Sequence, residues 1–188
     1  VQYLDRILHF YPNAKFIVLI RDPYKWLLSY KFQGSQKSKE TRNVFKKIYH
    51  PIFASMVWKK NYNSVQTALK KYGNKCIVLK NEDLNKGDTN SNLQSFINVD
   101  YEDIILEKVN SSFSNIIKPD LDSTDIFWMN RIAKKQIIES DYTKIRSNFN
   151  PFLLIKSFFK IIPAGFYVVK FLPANKNIFY YLFNYLKK

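Results

Sequence analysis

The residues in this chain best suited to chemistry are an arginine at the end of an apolar run and a serine eight positions later. Arg21 directly follows Lys15-Phe16-Ile17-Val18-Leu19-Ile20, and Ser29 lies two helical turns further on. In open α/β sheets, ligands bind beyond the carboxyl ends of strands. Arginine offers a planar fork of donors suited to phosphate, and a serine hydroxyl adds one short bond. Together they can hold one terminal phosphate. Taken alone, Arg21 can equally pair with Asp22 or bond a backbone carbonyl. The remaining reactive types are sparse. His9 and His50 read as surface or core histidines. Cys76 lies inside an apolar run and reads as a small buried hydrophobe. No cluster of His, Cys and carboxylates has ligand spacing, so no metal is implied.

Elements that position Arg21 and Ser29 are legible in the pattern. Residues 15–20 form a short apolar run with β-branched members, which favours a buried strand over a helix. Asp22 is placed to cap a helix and Pro23 suits its first turn. Trp26, Leu27 and Tyr30 then follow at helical spacing. Upstream, residues 2–11 read as a helix with Tyr3, Leu4, Ile7, Leu8 and Tyr11 on one face. Residues 43–72 read as helical, restarting at Pro51 and stopping at Gly73. Residues 75–80 repeat the buried-strand pattern and run into Asn81-Glu82-Asp83-Leu84. A short helix is expected at 92–97. Another is expected from about 124 to 142, capped by Asp122-Ser123-Thr124. Strand, long helical crossover and strand imply an α/β fold with a parallel sheet.

The chain has 188 residues, of which 46% are hydrophobic, enough for one domain with a real core. Its formal charge of +15 implies anionic partners: nucleic acid, phospholipid, or phosphorylated and sulfated small molecules. A lysine-rich surface is equally a merely soluble one. A single cysteine allows no internal disulfide and favours a reducing compartment such as the cytoplasm. Residues 151–188 differ from the rest, with six Lys, no acidic residue and eleven Phe or Tyr. Their longest uncharged run, 177–186, is shorter than the roughly 20 residues a bilayer span needs. The favoured expectation is a pair of helices packed back on the domain with lysines outward. The alternative is a basic amphipathic segment lying in a membrane interface. The chain begins at Val1, inside a helical pattern, and is expected to be a fragment.

The stretch PNAKFIVLIRDPYKWLLSY, residues 12–30, resembles the 3′-phosphate-binding segment of the PAPS-dependent sulfotransferase family. The match is strand, Arg-Asp-Pro, then Ser eight residues after the Arg, followed by Tyr. Arg21 and Ser29 fall on the positions that bind the donor's 3′-phosphate in the family, and Pro12 and Lys15 match the approach to the strand. Downstream, residues 58–84 look like the family's next unit. That unit is a helix, a second buried strand and a Tyr-Glu-Asp-Leu signature, here Asn81-Glu82-Asp83-Leu84. A short helix ending in Phe96-Ile97, the segment Val109-Asn110-Ser111-Ser112 and a helix bearing Trp128 and Arg131 follow in the family's order. The resemblance covers about residues 1–145.

It implies a three-layer α/β fold with a mostly parallel sheet, a P-loop NTPase-like sulfotransferase fold that is incomplete in this chain. Residues 1–150 are then the C-terminal part of the sulfotransferase domain, and 151–188 a basic, aromatic-rich helical extension. The implied donor substrate is PAPS, with no metal. The implied acceptor is a hydroxyl or amine, on a carbohydrate, lipid or glycolipid. The acceptor attacks the donor sulfur in line, 3′,5′-bisphosphoadenosine leaves, and a base takes the acceptor's proton. Two departures stand out. The family's phosphosulfate loop has no counterpart, and both it and the catalytic base are expected upstream of Val1, so this chain alone is expected to be inactive. Asn81 replaces the usual Tyr, which leaves an adenine contact open. The rival reading is a nucleotide-binding or nucleic-acid-binding basic α/β protein without sulfotransfer activity. Most aromatics lie at core spacing and no nucleic-acid-binding signature is present, so no nucleic-acid partner is expected. Peripheral membrane contact is expected, if anywhere, through residues 151–188.

Overall fold

Residues Phe16–Ile20 form strand β1 and Cys76–Lys80 form strand β2. They pair in parallel, from Phe16 opposite Cys76 to Ile20 opposite Lys80. The computed structural model describes residues 3–33, 37–84, 87–98, 120–148 and 150–171. Among these, β1 and β2 make one two-stranded sheet, so the molecule is α/β with a small parallel sheet. A parallel pair needs a long crossover because both strands must start from the same end. Three helices supply it: α2 (Pro23–Lys31), α3 (Lys39–Ile48) and α4 (Pro51–Tyr72), the region between the two apolar runs.

Local chemistry sets the helix ends. The Asp22 carboxylate accepts from the amides of Tyr24 and Lys25, each at 2.9 Å, and Pro23 fills the first turn of α2. Pro51 separates α3 from α4 as the sequence suggests. The cap of α4 is the preceding His50, whose Nδ1 accepts from the Ile52 amide. Gly73 ends α4 with φ of 41°, a left-handed conformation that glycine adopts without strain.

Helix α1 (Leu4–Phe10) corrects the expected apolar face. Leu4 is buried, but Tyr3, Ile7 and Tyr11 are exposed. The short helix before Asn98 is longer than expected, running as α5 from Gly87 to Ile97. The single helix expected near 124–142 is two: α6 (Ser123–Ile132) and α7 (Lys134–Glu139), which meet at Ala133. No proline or glycine forces that break. Met129, Ala133 and Ile137 are all fully buried, and packing of the joint against α2 and α4 decides it. Tyr24 and Leu27 of α2, with Ala54, Trp58 and Tyr62 of α4, complete this core.

A buried carboxylate ties the helices together. Asp125 on α6 accepts from Lys31 of α2 at 2.5 Å, from the Tyr49 hydroxyl after α3 at 2.6 Å, and from the Asp122 amide at 3.1 Å. Burial pushes this carboxyl above its usual range, against the pull of Lys31 and Tyr49. Burial acts on Lys31 in the opposite sense, but the hydrogen bond to Asp125 and the charges of Asp125 and Asp122 outweigh it. Lys31 is left above the ordinary lysine value.

Two further helices follow, α8 (Pro151–Phe159) and α9 (Ile161–Phe171). Helix α8 leans on α6 and α9 on α3. The join is polar. His50 Nε2 donates to the Ser157 carbonyl at 2.8 Å, and the Trp128 indole donates to the Ser157 hydroxyl at 3.0 Å. Among the described residues, no helix is long and apolar enough to cross a membrane.

Two predictions follow from these buried polar joints. Lys31→Met leaves the Asp125 carboxylate buried without its cation, so unfolding stability should fall by about 2–4 kcal/mol. The exposed pair of Lys71 with Asp5 makes bonds just as short, yet Lys71→Met should leave the denaturant midpoint unchanged. Equal losses in the two variants would refute this account. Burial lowers the His50 pKa below the ordinary 6.5, against the pull of the Ser157 carbonyl, and the bond its Nδ1 accepts from the Ile52 amide requires the neutral ring. Its contribution is therefore full above about pH 6.5 and is lost as pH falls through the lower folded value. The melting temperature should drop across that acid range, and His50→Gln should flatten the drop.

Candidate functional site

Because β1 and β2 run in parallel and end in register at Ile20 and Lys80, Arg21 and Asn81 leave the sheet side by side. The backbone around Arg21 is fixed from two directions. Its carbonyl accepts from the Trp58 indole at 3.2 Å, and the next amide, that of Asp22, donates to Glu82 Oε1 at 3.1 Å. Glu82 stands just beyond β2. It thereby links the turn after one strand to the turn after the other. Its second oxygen accepts from the Tyr142 hydroxyl at 2.9 Å. Burial, then the bond to Glu82 and its charge, push that hydroxyl far above the ordinary tyrosine range, so it stays a donor.

Tyr142 reaches the edge through a tight reversal after α7. Asp141 takes φ of 56°, the Tyr142 amide donates back to the Ile137 carbonyl, and the chain returns over the sheet. The returning segment is then locked to α2 and α6. The Ile145 amide donates to the Tyr24 hydroxyl at 3.1 Å, Tyr24 donates to Asn130 Oδ1 at 2.5 Å, and Asn130 donates to the Ile145 carbonyl at 2.8 Å. Lys80 Nζ lies 5.0 Å from the centre of the Tyr142 ring and 3.3 Å from the Asp141 carbonyl.

Within this frame Arg21 is half-buried. Its Nε is buried and has no hydrogen-bond partner among the described residues. Buried polar groups are normally satisfied, and a buried guanidinium N–H even more so. Asp22 is occupied with the cap of α2, and the Arg21 Nε is left open. Ser29 lies on α2 and is half-buried. At about 1.5 Å of rise per residue it stands roughly 9 Å along the helix from Pro23, a span that a long arginine side chain and a phosphate can bridge.

Other sequence-flagged residues have structural partners. Lys15 donates to the Phe96 carbonyl, and Lys75 to the Pro12 carbonyl at 2.7 Å, so both tie the strand approaches. Asn81 is exposed and opens a short 3-10 turn. Cys76 is buried, and burial pushes its thiol up. His9 is exposed. The segment Val109-Asn110-Ser111-Ser112 lies outside the described residues. Sequence reasoning marked Glu82 only as part of a motif and did not mark Tyr142. Nothing local in the sequence signals that a tyrosine sixty positions away completes the turn.

Among known families, the model described as the sulfotransferase family matches residues 1–112. No curated protein and no solved structure gives a match.

The Glu82 carboxylate should be required for the shape of this edge. Glu82→Ala removes acceptors from the Asp22 amide and the Tyr142 hydroxyl, and should cost about 1–3 kcal/mol in a denaturant titration. Glu82→Gln retains an acceptor for Asp22 and should cost less. Identical midpoints for wild type and Glu82→Ala would show that the turn does not depend on it.

Proposed function

The chain belongs to the sulfotransferase family, and on that premise we propose that Arg21 and Ser29 bind the 3′-phosphate of PAPS. The proposed reaction moves the sulfuryl group of that donor to a hydroxyl or amine, on an acceptor such as a carbohydrate or lipid. The observation that carries this reading is the buried Arg21 Nε, which has no partner among the described residues, at the carboxyl edge of the parallel pair.

The donor supplies a sulfuryl group already joined to a phosphate leaving group. The acceptor's lone pair forms the new bond to sulfur as the sulfur–oxygen bond to that phosphate breaks, and the acceptor's proton passes to a base. Arg21 and Ser29 act away from the reacting sulfur. They hold the far end of the nucleotide, and remote binding energy of this kind aligns the reacting end. Trp58 and Glu82 serve the same purpose indirectly, because they fix the backbone on both sides of the Arg21 side chain before any ligand arrives. The guanidinium is the suitable cation here: it stays charged at any working pH and offers a fork of donors to a phosphate's oxygens.

Calorimetric titration with 3′,5′-bisphosphoadenosine, 5′-AMP and ATP tests the assignment. The 3′-phosphorylated nucleotide should bind best. Arg21→Ala should weaken it by about tenfold or more while leaving 5′-AMP nearly unchanged, since a charge-assisted bond contributes about 1.5–3 kcal/mol. Failure to discriminate among the three nucleotides, or an Arg21→Ala variant that keeps the preference, would overturn the reading.

A further inference from the structure

Among the described residues, helix α8 is covered along one narrow line. Ser157 is buried and Leu154 half-buried, while the other side chains of the helix are exposed. On a surface helix the side opposite such a line is normally polar. Here it is apolar. Phe152, Ile155 and Phe159, spaced i, i+3 and i+7, are 74%, 59% and 69% exposed. The next helix, α9, carries exposed apolar side chains too: Ala164 is buried but Ile162 and Phe166 are 75% and 66% exposed. The charged side chains among them, Lys156 and Lys160, are exposed and basic.

Exposed apolar side chains gathered on two successive helices mark an interaction site. Charge identifies the occupant. After Asp141 the sequence has no acidic residue, whereas Lys144, Arg146, Lys156, Lys160, Lys170, Lys176, Lys187 and Lys188 follow. A second copy of the chain would bring the same cations to the patch and no carboxylate from this region to answer them. An anionic lipid surface offers what both kinds of side chain need: phosphates for the lysines and an acyl boundary for the rings. Length sets the depth. The described spans of α8 and α9, nine and eleven residues, reach about 14–17 Å, short of a bilayer crossing, and suit helices lying in its plane.

We propose that α8 and α9 form an interfacial foot, seating Phe152, Ile155, Phe159, Ile162 and Phe166 at the acyl boundary of an anionic bilayer with Lys156 and Lys160 among its headgroups. This surface is independent of the donor site, and its failure would leave that assignment standing.

Flotation of the full chain with phosphatidylcholine vesicles, with and without phosphatidylserine, provides the test. The chain should float with the phosphatidylserine vesicles, and raised salt should release it. The double variant Phe159→Ser/Ile162→Ser should bind about tenfold or more weakly. Lys156→Glu/Lys160→Glu should do the same, and supplies an independent arm if the first variant is unstable. Both should melt like the wild type, because the altered side chains are exposed. Absence of flotation with either vesicle would overturn the proposal. So would equal binding to both vesicles, or binding that neither double variant alters. Self-association abolished by the serine variant, without flotation, would assign the patch to a second copy instead.

Discussion

Two strands that run the same way must end together, and the working edge of this molecule depends on that constraint. The register of β1 and β2 brings Ile20 level with Lys80, so the residues that follow each strand share one edge. A side chain from one turn can then bind the backbone of the other, as Glu82 does with the Asp22 amide. With Trp58 on the Arg21 carbonyl, the polar backbone atoms flanking this residue are fixed by protein partners. An antiparallel pairing would have placed the two turns at opposite ends, and no single carboxylate could have joined them.

Ionic groups are treated differently at two places in this fold. Around Asp125 the buried carboxylate is met by an ammonium, a phenol and a backbone amide. That cluster is closed, and it ties three helical segments together without an evident place for a ligand. At Arg21 the backbone is equally well held, but a buried guanidinium nitrogen has no partner among the described residues. Desolvation without compensation opposes folding. Where the surrounding backbone is this well ordered, an external anion is the simplest compensation. The contrast between the closed cluster and the open donor, more than the presence of an arginine, is what favours Arg21 as the proposed ligand position.

Much of this was legible in the sequence, because the deciding interactions are local. Asp22 and Pro23 announce the start of α2, Pro51 the restart of the long helix and Gly73 its end, each through its own backbone chemistry. The strands were legible from short apolar runs with β-branched residues. What escaped is non-local. The break at Ala133 has no sequence breaker and is set by packing on both sides. The exposed face of α1 has the periodicity of a buried one, since periodicity records which residues share a face but not what covers it. At the site, Arg21 and Ser29 could be singled out by spacing and by family resemblance. Glu82 and Tyr142 meet across sixty residues and a left-handed turn at Asp141, where an aspartate occupies a position more often signalled by glycine.

The net charge of +15 likewise has no single meaning until positions are known. Several cations are answered within the fold: Lys31 by Asp125, Lys71 by Asp5, Lys80 by Asp141. All fifteen acidic residues lie at or before Asp141, so the segment carrying α8 and α9 has no carboxylate of its own to set against its lysines. The aromatic residues divide the same way. Tyr24, Trp58 and Tyr62 lie in the core between helices, while Phe152, Phe159 and Phe166 face outward beside lysines. A reading of the aromatics as core residues therefore holds for the α/β part and fails for Phe152, Phe159 and Phe166 of α8 and α9. Exposed rings beside unopposed lysines are also found in proteins that bind single-stranded nucleic acid, where rings stack on bases in a charged groove. Here the exposed rings lie on two successive helices, α8 and α9. That geometry suits a planar, laterally continuous anionic surface better than a strand.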